Sequence, residues 1–205
     1  MQAFASIHAA LERLSRVAVW FGGTALLLSS IMVTLDVISR KIFGVTMSGS
    51  DEISGYVFAA STTLAYSYCI IHRANIRIDA FYNFLPLTVR CILDILGLGL
   101  LLLFMGMLTQ SAILVLQTSW EQNSLSLTTL SIPLWIPQAF WVVGLILFVL
   151  TACFLLVYAI AAFVTGDTNQ VKAIVGTMSV EEEISEETKG MDIKTQPHDD
   201  DGGGH

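Results

Sequence analysis

Asp36 and Arg40 stand four residues apart, and Asp51 and Glu52 follow across a short connection, in a part of the chain otherwise poor in ionisable groups. An acid and a base at i and i+4 share one helix face and can pair, and an acid at a helix N-terminus is favoured by the helix dipole. Two uses follow from that chemistry. The first is a local salt-bridge cluster where helices leave a membrane. The second is a fixture in which Arg40 and Glu52 set the angle between two helices or meet a partner protein. A proton-relay carboxylate is the least favoured use, because charge at a helix end is far cheaper than charge at mid-membrane. A second group lies in "HRANIRIDAF", residues 72–81, where His72, Arg73, Arg77 and Asp79 interrupt an apolar sequence. Positive charge beside a span is accounted for as a topology signal, which leaves Asp79 as the residue to explain.

Other chemistries are not indicated. Cys69, Cys91 and Cys153 are isolated, with no Cys-x-x-Cys pair, so neither a disulfide framework nor a zinc site is expected. No histidine falls inside an apolar run, which argues against a haem held between helices. No phosphate-binding loop and no basic, aromatic-interleaved stripe for nucleic acid is present. The chain is therefore expected to bind no cofactor or metal and to be no enzyme.

The elements that carry these residues follow from composition. Of 205 residues, 54% are hydrophobic and 13% charged, against about 25% charged in soluble domains. The net charge of −7 says little about partners, because the segment from Asp167 onward holds ten acids and three lysines and accounts for all of it. Uncharged runs at 17–35 and 53–71 match the length of about 20 residues that crosses a hydrocarbon core. Two further runs are longer. The expected architecture is an all-α integral membrane protein with four transmembrane helices at 17–39, 52–71, 87–118 and 133–164. Residues 1–16, with Phe4, Ile7, Leu11 and Leu14 at three- and four-residue steps, are expected as an amphipathic helix in the interface. Residues 165–205, acidic and free of aromatic side chains, are expected as a disordered tail.

Arg13, Arg16, Arg73, Arg77, Arg90 and Lys172 fall on one side of this layout, and Arg40 and Lys41 on the other. The positive-inside rule then places both termini in the cytoplasm. On the second helix Gly55, Ala59 and Thr63 form a small-residue stripe of the kind that lets helices approach closely in lipid. On the third, Gln110 and Gln117 are expected to hydrogen-bond to neighbouring helices, since an amide in hydrocarbon needs a partner. The fourth is expected to begin in "SIPLWIPQ", with Ser131 as cap and Pro133 in the first turn, and to kink at Pro137.

Taken together, "DVISRKIFG" after the first span, "SGSDEISGY" entering the second, "NIRIDAF" after it and "SIPLWIPQAFW" entering the fourth resemble the small membrane subunit of tripartite ATP-independent periplasmic (TRAP) transporters, the DctQ type. The resemblance covers residues 14–164, and the matching positions are Arg40, Glu52, Arg77, Asp79 and Pro133. Asn75 is a departure, since similar proteins often carry His there. The resemblance implies a bacterial inner-membrane scaffold subunit that pairs with a large, elevator-type membrane subunit. It further implies ion-coupled uptake of an organic acid delivered by a periplasmic binding protein, with sodium coupling in the large subunit. The alternative function is a self-sufficient four-helix exporter; a membrane oxidoreductase subunit, which would hold a chromophore, ranks third.

Overall fold

The computed structural model describes residues 2–73, 86–128 and 130–165. Asn75, Arg77 and Asp79, and all of the expected acidic tail after residue 165, lie outside the described residues. Among the described residues are four helices: α1 (Gln2–Phe43), α2 (Ser50–Ile71), α3 (Leu87–Glu121) and α4 (Trp135–Val164). No strand occurs among them, only an isolated antiparallel bridge between Leu125 and Pro133. Three stretches, Ser6–Phe43, Thr88–Glu121 and Trp135–Val164, are long and apolar enough to cross a membrane.

α1 is a single helix. Residues 2–16, expected as a separate interfacial element, form its first turns without a break. Sharp kinks arise at proline, at glycine or serine pairs, or at an inserted side chain, and no proline or glycine occurs before Gly22. At about 1.5 Å per residue, a helix of 42 residues extends well beyond the roughly 30 Å of hydrocarbon.

The helices pack as a row. α1 lies against α2, α2 against α4 and α4 against α3, while α1 touches α4 only lightly. Burial follows that order: 44% of the most apolar stretch of α4 is buried, against 17% for α3 and 11% for α1, so α1 and α3 are edges. Ile70, Leu98, Phe148, Ala152, Leu155 and Ala159 make the main core, where α2 and α3 meet α4. Ala18, Leu64 and Leu147 join α1, α2 and α4. With so little sequestered apolar surface, close backbone approach carries much of the packing.

Two glycines make that approach possible. A Cβ on Gly22 of α1 would lie 3.1 Å from the Cα of Ser61 on α2, and the Ser61 hydroxyl donates to the Gly22 carbonyl at 2.9 Å. A Cβ on Gly144 of α4 would lie 2.5 Å from the Thr63 hydroxyl and 2.8 Å from the Leu64 nitrogen. Of the Gly55, Ala59 and Thr63 stripe, only Thr63 is buried against another helix of this chain; Gly55 and Ala59 are exposed, with nothing within 4 Å of where a Gly55 Cβ would sit.

The start of α4 differs from expectation. The helix begins at Trp135, with Leu134 rather than Ser131 at the cap. Ser131 has a positive φ of 43°, and Pro133 belongs to the bridge with Leu125. The connection is a small hairpin, closed by Ser126 N–H to the Ile132 carbonyl at 2.9 Å and Leu134 N–H to the Ser124 carbonyl at 3.0 Å. Pro133 fits between those bonds because it has no N–H to leave unpaired. Pro137 is then the third residue of the helix, where an amide would have no intrahelical partner in any case, so no kink is required.

Candidate functional site

The α1–α2 turn and the α3–α4 hairpin share one end of the row, and the polar residues gather there in two networks. In the first, the Asp36 side chain is 1% exposed although it belongs to an edge helix. Its carboxylate accepts from the Met47 N–H at 2.5 Å, Arg40 Nη2 at 2.8 Å, Ser50 Oγ at 3.0 Å and Thr46 Oγ1 at 3.5 Å. Arg40 Nε also donates to Thr46 Oγ1 at 3.1 Å, and Ser39 Oγ to the Val45 carbonyl at 3.1 Å. The turn between the helices uses two glycines at positive φ, Gly44 at 67° and Gly49 at 98°, a conformation open to glycine without steric cost. Asp36 thus ties the end of α1, the turn and the first residue of α2 together. With four donors on its two oxygens, the carboxylate is committed to structure, while Arg40, 56% exposed, keeps much of its guanidinium free to face outward.

The second network joins the turn end of α2 to the hairpin. Glu52 accepts a bond from its own-helix neighbour Tyr56 at 2.5 Å and another from Thr128, with Ser126 adjoining. Ser126 and Thr128 are themselves linked at 2.8 Å. Beside this contact the Leu130 side chain occupies the space where Gly49 lacks a Cβ, its Cδ1 only 2.0 Å from the place a Cβ would take. Trp120 and Trp135 meet edge to face at the base of the hairpin, their ring centroids 4.7 Å apart. Glu52 and Gly49 therefore pin α2 to the α3–α4 connection at one end of the row.

The predicted residues divide as follows. Asp36 and Arg40 form the ion pair that their spacing allows. No hydrogen bond or ion pair joins Arg40 to Glu52; each works in its own network. Pro133 sits at the foot of the hairpin that Glu52 grips. Gly55 borders an open groove between α1 and α2 that Ser29, Thr34, Asp51 and Ser54 also line, and Ala59 is exposed on the same helix. Gln110 and Gln117, expected to hydrogen-bond to neighbouring helices, are exposed on α3 and meet no such helix among the described residues. α3 is an edge helix and buries only its α4-facing strip.

Sequence reasoning missed Ser50 and Met47 as partners of Asp36, and Ser126 and Thr128 as partners of Glu52. "NSLSLTTLS" alternates hydroxyl and leucine side chains, a short-period signal from which the hairpin was readable.

A family model described as "Tripartite ATP-independent periplasmic transporters, DctQ component" matches residues 29–169, well over half of the chain. Comparison with curated proteins and with solved structures returned no match. The matched region includes both networks and every expected partner-facing position.

Proposed function

Since this chain belongs to the DctQ component family of tripartite ATP-independent periplasmic transporters, and so is a multi-pass membrane component of a transporter, we propose that it is the fixed scaffold beside a large, moving membrane subunit. In this reading the large subunit binds the coupling ion, sodium, and carries an organic acid handed over by a periplasmic binding protein. This chain holds no cofactor and performs no reaction. Residence is in the bacterial inner membrane, with both termini cytoplasmic and the hairpin and turn on the periplasmic side.

The observation that carries the reading is the row itself. α2 and α4 lie in the middle, α1 and α3 at the edges, and both inter-helix connections at one end are pinned by Asp36 and Glu52. A row fixed in this way offers long lateral faces to a neighbour, as a wall does, and a moving neighbour needs a partner that keeps its place in the lipid.

α2 completes the fourth crossing. α1 and α3 both end where the turn and the hairpin meet, so the chain must return across the membrane before α3 begins. α2 is the segment that runs back, in contact with α1 through Ser61 and with α4 through Thr63. Its 22 residues span about 33 Å at 1.5 Å per residue, enough for one crossing.

On the cytoplasmic side Asn75, Arg77 and Asp79 position the α2–α3 connection against the large subunit; Arg40 and Glu52, with Pro133 beneath the hairpin, do so on the periplasmic side. Gentle solubilisation of native membranes and affinity purification of this chain tests the proposal. The large subunit should be retained, and Glu52→Ala and Asp79→Ala should each lower its yield. Absence of the large subunit from the wild-type preparation would contradict the proposal.

A further inference from the structure

Resting on the scaffold reading, we propose that one flank of α3, marked by Gly99, Gly106, Gln110 and Gln117, is the surface that receives a transmembrane helix of the large subunit. Spacings of seven, four and seven residues put these positions on one side of a helix. That side adjoins, and is separate from, the strip of Leu98 and Ala112 that packs in the core with α4.

The amides carry the argument. Gln110 and Gln117 are exposed, and neither side chain makes a hydrogen bond among the described residues. Gln110 precedes Trp120 by ten residues, or about 15 Å along the axis, which is half the thickness of the hydrocarbon core. Lipid tails offer an amide nothing at that depth, and an unpaired amide in hydrocarbon is costly.

Exposed hydroxyls on these helices solve the same problem alone. Thr24, Thr34, Thr62, Ser111 and Thr118 each return a bond to the carbonyl four residues earlier, at 2.7 to 3.1 Å. A short hydroxyl side chain reaches that carbonyl readily, and its cost in lipid is thereby removed. The two glutamines make no such return bond. They present donors and acceptors outward, along a flank where Gly99 and Gly106 leave open space, with nothing within 4 Å of either missing Cβ. Small residues allow a second helix to come close, and the amides supply the bonds that hold it at one register. The occupant that satisfies both is a helix carrying a polar group opposite Gln110 at mid-membrane. A lipid chain lacks that group.

The test is site-specific photocrosslinking in the intact complex. p-Benzoylphenylalanine at position 110 or 117 should crosslink to the large subunit, and the same group at Phe104 or Ser111, on the far side of α3, should not. In parallel, Gln110→Leu with Gln117→Leu should reduce the large subunit retained on purification by about tenfold, and Ser111→Leu should leave it unchanged. Membrane levels of each variant show that the chain still inserts. Crosslinks from 110 and 117 only to a second copy of this chain, to lipid, or to nothing would overturn the inference. Equal crosslinking from Phe104 and Ser111 would overturn it as well. If the wild-type chain retains the large subunit while these crosslinks fail, the docking surface is wrong and the scaffold reading stands; if it retains none, both fall.

Discussion

Asp36 shows how a single carboxylate organises a turn. Its four donors come from α1, from the turn and from the first residue of α2, so losing the carboxylate strands several groups together. Arg40 contributes one of those donors from a half-exposed side chain, and exposed ion pairs contribute little. Asp36→Ala should therefore lower the thermal unfolding temperature of the purified chain markedly, and Arg40→Ala much less. An equal or larger drop for Arg40→Ala would show that the ion pair, and not the turn, is what Asp36 supports. Of this arrangement the pair was readable from the i, i+4 spacing, because helix geometry makes that contact local. The partners Met47 and Ser50 were not, since they depend on how Gly44 and Gly49 bend the chain. The contact of Glu52 with Thr128 spans 76 positions, beyond the reach of any local pattern.

At the scale of elements, two glycines of equal standing in the sequence have opposite surroundings. Gly144 lies against Thr63 and Leu64, and Gly55 faces open space. Gly144→Ala should push α4 from α2 and destabilise the chain by about 1–3 kcal/mol, as overpacking does. Gly55→Ala meets no atom and improves helix propensity, so stability should hold or rise by up to about 1 kcal/mol. Denaturation of both variants in detergent checks the contrast, and an equal loss for the two would refute it. The apolar runs made the existence of the helices plain because lipid demands such lengths. Their order in the row was hidden: through residues 95–108 of α3 every position is apolar, and along α4 nearly every one is, so no periodic stripe distinguishes the packed side there. For the same reason the spacing of Gln110 and Gln117 shows that they share a side of α3 and not which neighbour that side meets.

Across the described residues the four helices form a row joined at one end by pinned connections. Leu127 stands fully exposed at the hairpin tip. In a variant lacking the three native cysteines, Leu127→Cys should react with a membrane-impermeant maleimide added from the periplasmic side. A cysteine in the acidic tail should react only after the membrane is opened. The reverse pattern would invert the topology and remove the periplasmic role given to Arg40 and Glu52. This orientation rests on the positive-inside count, which depends on where charges fall along the chain and not on how helices pack.

The scaffold account is tested most directly by uptake into sealed vesicles with an imposed sodium gradient. Vesicles holding this chain with its large subunit, supplied with the periplasmic binding protein, should accumulate the organic acid; vesicles holding this chain alone should accumulate none. Concentrative uptake by this chain without the large subunit would contradict the account.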